Sequence, residues 1–355
     1  MDNQEWVFLS RPAASGMALT DWELRDCAMP NLKDGEMLLA SHMLSVDPTM
    51  RNAMAGPGAV ALTEQTDVGY YDMMDWAVGS TPTWSMVAVV VDPNGAEGFA
   101  VGDKVNTGAP WRKYNALDAR MCRKLDPAVP TEAYLGTLGG TGNAGYLPVV
   151  HIGQPKEGEI AFVSGAAGAT GLVACQSLKL LGCSTVVGSA GSDDKVALLE
   201  SLGIVAFNYK TEDTLDALSR LCPTGVDIYF DNVGGPTLEA ALEVMNDFGR
   251  VIACGQISQY DLPPEEKYGV RNLFHVVAKR LTFQGYVTDP RSFTPEQFGD
   301  AAQTLSGWLA SGELKDQSTI MEGFDQIPNA ILGLFSGANT GKMIVRAAVE
   351  TGAKL

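Results

Sequence analysis

Hydrophobic and polar positions alternate in short blocks over residues 1 to about 130. The apolar runs Met37–Ser41 and Met86–Val91 have the length of single strands. Turn sequences at 92–95 (DPNG) and 102–103 (GD) separate such runs, and Lys104–Thr107 follows the second turn. No long helical period is visible in this part of the chain. The pattern predicts a β-rich barrel or sandwich.

From about residue 132 the pattern changes to apolar runs of strand length that alternate with segments of helical spacing. Six strands are predicted, at Glu159–Ser164, Ser184–Gly188, Val205–Phe207, Val226–Phe230, Arg250–Cys254 and Leu281–Tyr286. Four helices are predicted between them, at Leu172–Leu181, Lys195–Leu202, Thr214–Cys222 and Thr237–Met245. Alternation of this kind predicts an α/β domain with a doubly wound parallel sheet.

The change of pattern predicts two domains, as does a length of 355 residues. The last 40 residues again resemble short strands, notably Lys342–Arg346, and we expect them to complete the first domain. The predicted boundaries are 1–131 with 316–355 for the β-rich domain and 132–315 for the doubly wound domain.

A glycine-rich turn follows the first strand of the predicted parallel sheet and opens its first helix. Its sequence is GAAGATG at 165–171, a G-x-x-G-x-x-G pattern in the context that dinucleotide binding requires. Small residues let the backbone approach a pyrophosphate, and the helix N-terminus presents N–H groups to it. The alternative is a merely tight turn. The candidate cofactor contacts here are Gly165, Ala166, Gly168, Ala169, Thr170 and Gly171.

The end of the second strand indicates which dinucleotide would bind. An NAD site usually has Asp or Glu about 20 residues past the glycines, but here the sequence at 188–192 is GSAGS. Lys195 follows in the next helix and could pair with a 2′-phosphate, and Ser192 could donate a hydrogen bond to it. Asp193 and Asp194 argue mildly against this, and Lys195 could instead be a solvated surface residue. We predict NADP(H).

Charge and composition narrow the class of protein. The net charge is −17, which argues against general binding to nucleic acid or to anionic membranes. No apolar run is as long as a membrane span, and the first residues lack the features of a secretory signal. The six cysteines have neither metal nor disulfide spacing. We therefore expect a cytoplasmic protein with reduced thiols.

Neither a metal site nor a serine-hydrolase site is predicted. The chain has three histidines, His42, His151 and His275, and none forms a pair at metal-binding spacing. No G-x-S-x-G motif occurs. A redox enzyme without a metal must stabilise an oxyanion through hydrogen bonds. An enone is a suitable substrate for it, because the enolate spreads the negative charge.

Several short motifs occur in a characteristic order along the chain. They are VDPTMR at 46–51, GDKV at 102–105, AGSDDK at 190–195, NYK at 208–210, FDNVGG at 230–235, CGQISQY at 254–260 and NTGK at 339–342. In this order they resemble the zinc-independent medium-chain dehydrogenase/reductases, with the nearest likeness to the leukotriene B4 dehydrogenase, prostaglandin reductase and alkenal double-bond reductase group. The resemblance implies a GroES-like catalytic domain and a Rossmann domain.

The resemblance also implies roles for individual residues. In that group, residues matching Ser192, Lys195 and Tyr209 hold the 2′-phosphate of NADPH. The asparagines matching Asn232 and Asn339 contact the cofactor. The tyrosine matching Tyr260 is a proton donor or a partner of the enolate; the alternative is a loop aromatic residue that packs over the ribose.

The chain departs from the group on the expected substrate side. The group's P-G-x-T-A-Y segment is replaced by TGNAGY at 141–146, which places an amide at Asn143 where the group is apolar. The aromatic-rich stretch 55–84 contains Trp76 and Trp84, and we expect it to overhang the active site. Asn143, Tyr70, Tyr71 and Tyr260 are the candidate substrate contacts.

The resulting hypothesis is NADPH-dependent reduction of the C=C bond of α,β-unsaturated ketones or aldehydes. The alternatives are metal-free oxidation of a secondary alcohol with NADP⁺ and a binding role without turnover. The partners expected are a small-molecule substrate and a second copy of the chain, with no nucleic acid and no membrane. An open apolar strand at Leu281–Tyr286, and the resemblance, both favour a homodimer.

Overall fold

A computed structural model describes residues 2–13, 16–56 and 75–348 of the chain. It divides into two compact units, Met1–Leu135 with Ser318–Leu355, and Gly136–Gln317. The first part of the first unit contains β1 (Asn3–Phe8), β2 (Trp22–Cys27), β3 (Glu36–Val46), α1 (Met50–Ala55), β4 (Thr83–Asp92), β5 (Lys104–Pro110), β6 (Tyr114–Asp118) and β7 (Arg123–Lys124).

The second unit alternates helices and strands along nearly its whole length. Its elements are α2 (Gly140–Pro148), β8 (Ile160–Val163), α3 (Ala169–Leu180), β9 (Thr185–Ala190), α4 (Asp193–Ser201), β10 (Val205–Asn208), α5 (Thr214–Leu221), β11 (Val226–Asp231), α6 (Gly235–Val244), β12 (Met245–Ala253), α7 (Phe274–Ala278), β13 (Thr282–Gly285) and α8 (Pro295–Ser311). A π-helical turn, Val149–Gly153, follows α2.

The chain then returns to the first unit with β14 (Ser318–Glu322), α9 (Ile327–Ser336) and β15 (Lys342–Arg346). The main sheet of this unit has the order β14-β15-β3-β4-β5-β7, and β6 also pairs with β3. β15 runs antiparallel to β3 with Met343 opposite Val46. The predicted β-rich domain and the strand at Lys342–Arg346 are therefore confirmed.

The expectation of only short strand-like pieces in the last 40 residues is wrong, because α9 lies there. Ile327, Ala330 and Ile331 on this helix are buried in the core of the first unit. Pro328 occupies the first turn, where its missing N–H costs nothing, and Gly337 ends the helix with a φ of 74°. The helix is apolar on most of its surface, so the sequence shows no polar face that would reveal a helical period.

The sequence predicts that the stretch 55–84 overhangs the active site. For the residues of this stretch that the structure describes, that prediction is in part wrong. Trp76 is buried and its ring packs edge-on against Trp22 and Trp111, with centroids 5.6 and 5.1 Å away. Trp84 lies in β4 and belongs to the same aromatic core. Trp76 is buried and Trp84 is half-buried against it, because both fill the core of the first unit. Residues 57–74 lie outside the described residues.

All six strands of the second unit are parallel and have the spatial order β10-β9-β8-β11-β12-β13. In terms of their sequence within this unit, the order is 3-2-1-4-5-6, that of a dinucleotide-binding Rossmann fold. The predicted fold class is confirmed. The order reverses between β8 and β11, and ligands of such sheets bind beyond the carboxyl ends of the strands at this point.

Candidate cofactor and active site

The glycine-rich turn leaves the carboxyl end of β8, beside the point where the strand order reverses. Gly165 has a φ of 60°, a left-handed conformation that favours glycine. A Cβ on Gly171 would overlap the carbonyl oxygen of Gly165 and lie 2.8 Å from Cα of Ala166. By contrast, the nearest atom to a Cβ on Gly168 would be the Gly165 oxygen at 3.3 Å. Gly171 therefore serves helix–turn packing, while Gly168 leaves space above the turn.

The helix that follows the turn begins at Ala169 with Gly168 as its N-cap. Gly168 has no side chain with which to cap this end, and Ala169 and Thr170 form the first turn. The first N–H groups of a helix have no partner within it, and the helix dipole adds partial positive charge there. This end of α3 therefore suits a pyrophosphate, which a chain with a net charge of −17 can bind in this way without a basic patch.

Four polar side chains gather at the carboxyl ends of β9 and β10. Ser192 caps α4 and accepts a hydrogen bond from the Lys195 backbone N–H at 3.4 Å. The Tyr209 hydroxyl and the Lys210 side chain both lie over Gly191, since a Cβ there would be 2.7 Å from Oη and 3.3 Å from Cε. Burial, and then the nearby charge of Lys210, lower the pKa of Lys195. A bound phosphate would relieve the repulsion between these two ammonium groups.

Lys210 is a member of this group that the sequence analysis did not single out. The sequence does contain a signal for Lys210, because this residue follows Tyr209 directly in the NYK segment. Asn208, the first residue of that segment, donates to the Asp193 carboxylate at 2.7 Å. This hydrogen bond engages the carboxylate of Asp193, one of the two acidic residues that argue mildly against binding of a 2′-phosphate.

The loop after β11 holds Asn232 at the point where the strand order reverses. Its Nδ2 donates to the Ser164 carbonyl at 2.8 Å, and its Cβ lies 3.5 Å from the position of a Cβ on Gly165. The loop is held by Asp231, whose Oδ1 accepts N–H bonds from Val233 and Gly234 at 3.0 and 2.8 Å. Asn232 is therefore placed directly beside the glycine-rich turn.

Tyr260 lies in the loop after β12, which is attached to the Asn232 loop. Ile257 N–H donates to the Asn232 carbonyl at 3.1 Å, and the Ser258 hydroxyl donates to Val233 at 2.7 Å. The Tyr260 hydroxyl accepts the backbone N–H of Gln256 at 3.1 Å. Gly255 permits this, because a Cβ there would lie 2.7 Å from Oη.

Asn143 is half-buried on α2, which packs against the helix of the glycine-rich turn. The close approach depends on Gly145, where a Cβ would lie 2.7 Å from the Thr170 carbonyl oxygen and 2.8 Å from Cβ of Val173. The second unit thus brings together the turn at 165–171, the group around Lys195, and Asn232 with the Tyr260 loop.

The remaining candidates lie elsewhere. Asn339 is in the first unit, where its Nδ2 donates to the Gly341 carbonyl at 2.7 Å and closes the turn before β15. Tyr70 and Tyr71 lie outside the described residues. Tyr286, which follows β13, was missed by the sequence analysis because no local motif marks it.

The donor set does not fit a zinc ion. His151 contacts Gln297 Nε2 at 3.2 Å and packs on Phe293, and His275 contacts Glu243 at 3.0 Å. Desolvation, followed by the charges of Lys104 and Arg346, lowers the pKa of His42 to about 4. Over the described ranges, no three His, Cys, Asp or Glu side chains converge as a metal site would need. We therefore derive no step through a metal.

All six cysteines are free thiols, and each has a raised pKa whose largest cause is burial. The pKa is about 12 for Cys183, about 11 for Cys222 and about 12 for Cys254. They are therefore protonated and poorly nucleophilic near neutral pH.

In the part of the chain that the structure describes, no helix is both long and apolar enough to cross a bilayer.

Comparison with known proteins agrees with this geometry. Residues 169–306 match the family model described as zinc-binding dehydrogenase, and residues 4–125 match the N-terminal domain of oxidoreductase. Prostaglandin reductase 1 of Rattus norvegicus is 37% identical over 92% of this chain and 94% of its own. The NADP⁺-dependent 2-alkenal reductase of Nicotiana tabacum is 37% identical over 89% and 88%.

A solved structure, CurA of Vibrio vulnificus in complex with NADPH, superposes with a TM-score of 0.85 at 31% identity, covering 97% of this chain and 99% of that one. The chain belongs to the medium-chain dehydrogenase/reductase family, and the resemblance seen in its motifs is confirmed. Its matched relatives within that family include prostaglandin and alkenal reductases.

Proposed function

We propose that this protein is an NADP(H)-dependent reductase of the C=C bond in α,β-unsaturated aldehydes and ketones. The observation that carries the proposal is the position of the Tyr260 hydroxyl, on a loop attached to the Asn232 loop beside the glycine-rich turn. The similarity to a prostaglandin reductase and a 2-alkenal reductase supports it. The cofactor class follows from the same relatives and from Lys195 and Lys210, which follow the second and third strands of the parallel sheet.

The cofactor is NADP(H), and the second unit has a group suited to each part of it. The turn at 165–171 and the start of α3 would hold the pyrophosphate through backbone N–H groups. Lys195, Tyr209, Lys210 and Ser192 would hold the 2′-phosphate, and Asn232 would lie towards the nicotinamide half. Asn339 of the first unit remains a proposed cofactor contact on the resemblance alone.

NADPH, when bound, supplies the hydride that adds to the β-carbon of the enone. The negative charge then moves to the carbonyl oxygen as an enolate, and the α-carbon must gain a proton. Tyr260 is suited to hold that oxygen, because a phenol can donate to an oxyanion. The Gln256 N–H, which donates to Tyr260 Oη, stabilises charge on the phenol oxygen as its proton is drawn away. The proton for the α-carbon comes from Tyr260 or from water.

The direct test is a spectrophotometric screen of NADPH consumption with short enals, long enals, cyclic enones and aryl enones. We expect turnover with at least one class and formation of the saturated carbonyl compound by mass spectrometry. NADP⁺ reduction with simple secondary alcohols but no enone turnover would replace the proposal by alcohol oxidation. Tight NADPH binding with no turnover in either direction would leave only a binding role.

We also propose that two copies pair through β13, the last strand of the parallel sheet. All four residues of this strand are exposed, and Phe283 is 41% exposed. Two further apolar side chains on the preceding helix, Phe274 and Val277, are 74% and 67% exposed. An open apolar edge of this kind favours two-fold pairing with a second copy. Light scattering coupled to size exclusion should give a dimer mass for the wild type and a monomer mass for Phe283→Asp; a monomeric wild type would contradict the proposal.

A further inference from the structure

A proline in the second unit leaves a helix carbonyl without its usual donor. Pro148 is the last residue of α2, and the carbonyl that its N–H would meet is that of Ala144. Proline has no N–H, and the next residue, Val149, donates to Tyr146 instead. Tyr286 supplies the missing donor, with its Oη 2.6 Å from the Ala144 oxygen. A side chain 142 positions away thus completes the hydrogen bonding of α2.

Tyr286 also lies beside the start of the Tyr260 loop, because Gly285 pairs with Ala253 in the β13–β12 register and Tyr286 and Cys254 are the next residues along each segment. Because a carbonyl oxygen can only accept, the Tyr286 hydroxyl donates its proton to Ala144. Burial raises the pKa of both the Tyr286 hydroxyl and the Cys254 thiol, so both are protonated near neutral pH. Tyr260 itself is near enough to raise the pKa of Tyr286 further.

We propose that Tyr286 is a positioning residue that fixes α2, with Asn143, relative to the loop that carries Tyr260. The inference rests on the proposed function, in which Tyr260 holds the substrate oxygen. Asn143 is adjacent to Ala144 on α2, and Cys254 is six positions before Tyr260. A substrate that lies along Asn143 would present its carbonyl to Tyr260. The hydrogen bond of the Tyr286 hydroxyl would therefore set the distance between these two contacts.

Tyr286→Phe is the test, because it removes the hydroxyl and keeps the ring that packs against Phe293, 5.9 Å away between centroids. We expect kcat on the best enone to fall roughly tenfold, since a small misplacement of a reacting group has costs of that order. The NADPH dissociation constant should change by less than about twofold, because the glycine-rich turn and the lysines are untouched. Tyr134→Phe, which removes a phenol hydroxyl in the first unit, is the matched control and should keep wild-type kcat.

Pro148→Ala separates a link between elements from a hydrogen bond within the helix, because alanine restores an N–H opposite the Ala144 carbonyl but does not join α2 to β13. In the double variant Tyr286→Phe/Pro148→Ala we expect the hydrogen bonding of α2 to return and kcat to stay roughly tenfold below wild type, since α2 is still not joined to the strand beside the Tyr260 loop. Recovery of kcat in the double variant would show that the hydroxyl acts only within α2 and would overturn the inference.

Hydrogen exchange of residues 144–150 gives a readout that does not depend on turnover. It should quicken roughly fivefold in Tyr286→Phe and return in the double variant, as expected for loss of one net hydrogen bond. If the wild type reduces no enone, the proposed function fails, and this exchange measurement alone decides whether Tyr286 fixes α2. Wild-type kcat and exchange in Tyr286→Phe would overturn the inference. If the single variant does not fold, an unfolded double variant would overturn it too.

Discussion

Lys342 donates a hydrogen bond to the carboxylate of Asp47 at 2.8 Å, and the lysine is only 2% exposed. Its Nζ also donates to the Val46 carbonyl at 2.6 Å. Two motifs that are far apart in the sequence, VDPTMR and NTGK, therefore meet between the end of β3 and the start of β15. The ion pair thus adds to the strand pairing that joins β15 to β3.

Breaking one side of this pair should destabilise the protein strongly. Asp47→Asn leaves the ammonium of Lys342 buried without its counter-charge, and such changes cost about 3–5 kcal/mol. Chemical unfolding should show this loss, and Asp47→Leu/Lys342→Met should lose less than either single variant, because no buried charge is left unpaired. A loss below about 1 kcal/mol, the value typical of surface pairs, would mean that the pair is not buried in solution.

The cost of Asp47→Asn should depend on pH. Burial alone would raise the pKa of Asp47, but the Lys342 charge and the hydrogen bonds from Lys342, Ser45 and Trp84 outweigh it and lower the pKa. A carboxyl whose pKa is lowered on folding contributes stability that is present above its unfolded pKa of about 3.9 and is lost below the folded value. The free-energy difference between wild type and Asp47→Asn should therefore shrink as the pH falls below about 4.

Two glycines of the same turn should respond differently to alanine. Gly168→Ala meets only the Gly165 oxygen, at 3.3 Å, so we expect a near-normal melting temperature and a large loss of NADPH affinity. Gly171→Ala places a methyl group onto the backbone of Gly165 and Ala166, so both stability and binding should fall. Thermal melts with and without NADPH measure both effects. Equal NADPH binding by Gly168→Ala and wild type would show that the pyrophosphate does not bind at this turn.

The lysines around Gly191 should select the phosphorylated cofactor. Lys195→Ala should weaken NADPH binding about 10- to 100-fold, as expected for loss of a charge-assisted hydrogen bond, and should weaken NADH binding far less. Lys210→Ala should act in the same direction, and Lys156→Ala, an exposed lysine before β8, is the control. Fluorescence titration of both cofactors decides the matter, and equal losses for NADPH and NADH would show that Lys195 does not contact the phosphate.

Tyr260 should affect turnover without affecting the cofactor. Tyr260→Phe keeps the ring and loses the hydroxyl, and removal of one oxyanion donor typically costs about 10²–10³ in kcat. The NADPH dissociation constant should stay near the wild-type value, because the ring is retained. Steady-state kinetics of Tyr260→Phe with an enone, together with an NADPH titration of Tyr260→Ala, separate the two roles. Unchanged kcat in Tyr260→Phe with weakened NADPH binding in Tyr260→Ala would favour the packing role.

The alternation of strands and helices in the second unit could be predicted because its signals are local. Each strand is a short apolar run, and helices such as Thr214–Leu221 end at a proline or glycine, so the pattern needs no knowledge of distant residues. The glycine-rich turn and Lys195 could be found for the same reason. Helix α9 escaped detection because its residues are apolar on most sides.

Contacts between distant positions could not be predicted. Nothing in the sequence near Ala144 indicates that Tyr286 will donate to its carbonyl, although Pro148 indicates that some donor is needed. The aromatic residues Trp76 and Trp84 were likewise interpreted from composition, which does not tell an interior position from one that overhangs a site. Such contacts depend on the packing of whole units.

The buried thiols have a consequence under the proposed function, in which the protein would admit reactive carbonyl compounds. Enals and enones alkylate cysteine by adding to the thiolate, and here burial keeps the thiols in their unreactive form. A reductase of the proposed kind would therefore process electrophiles for many cycles without being inactivated by them.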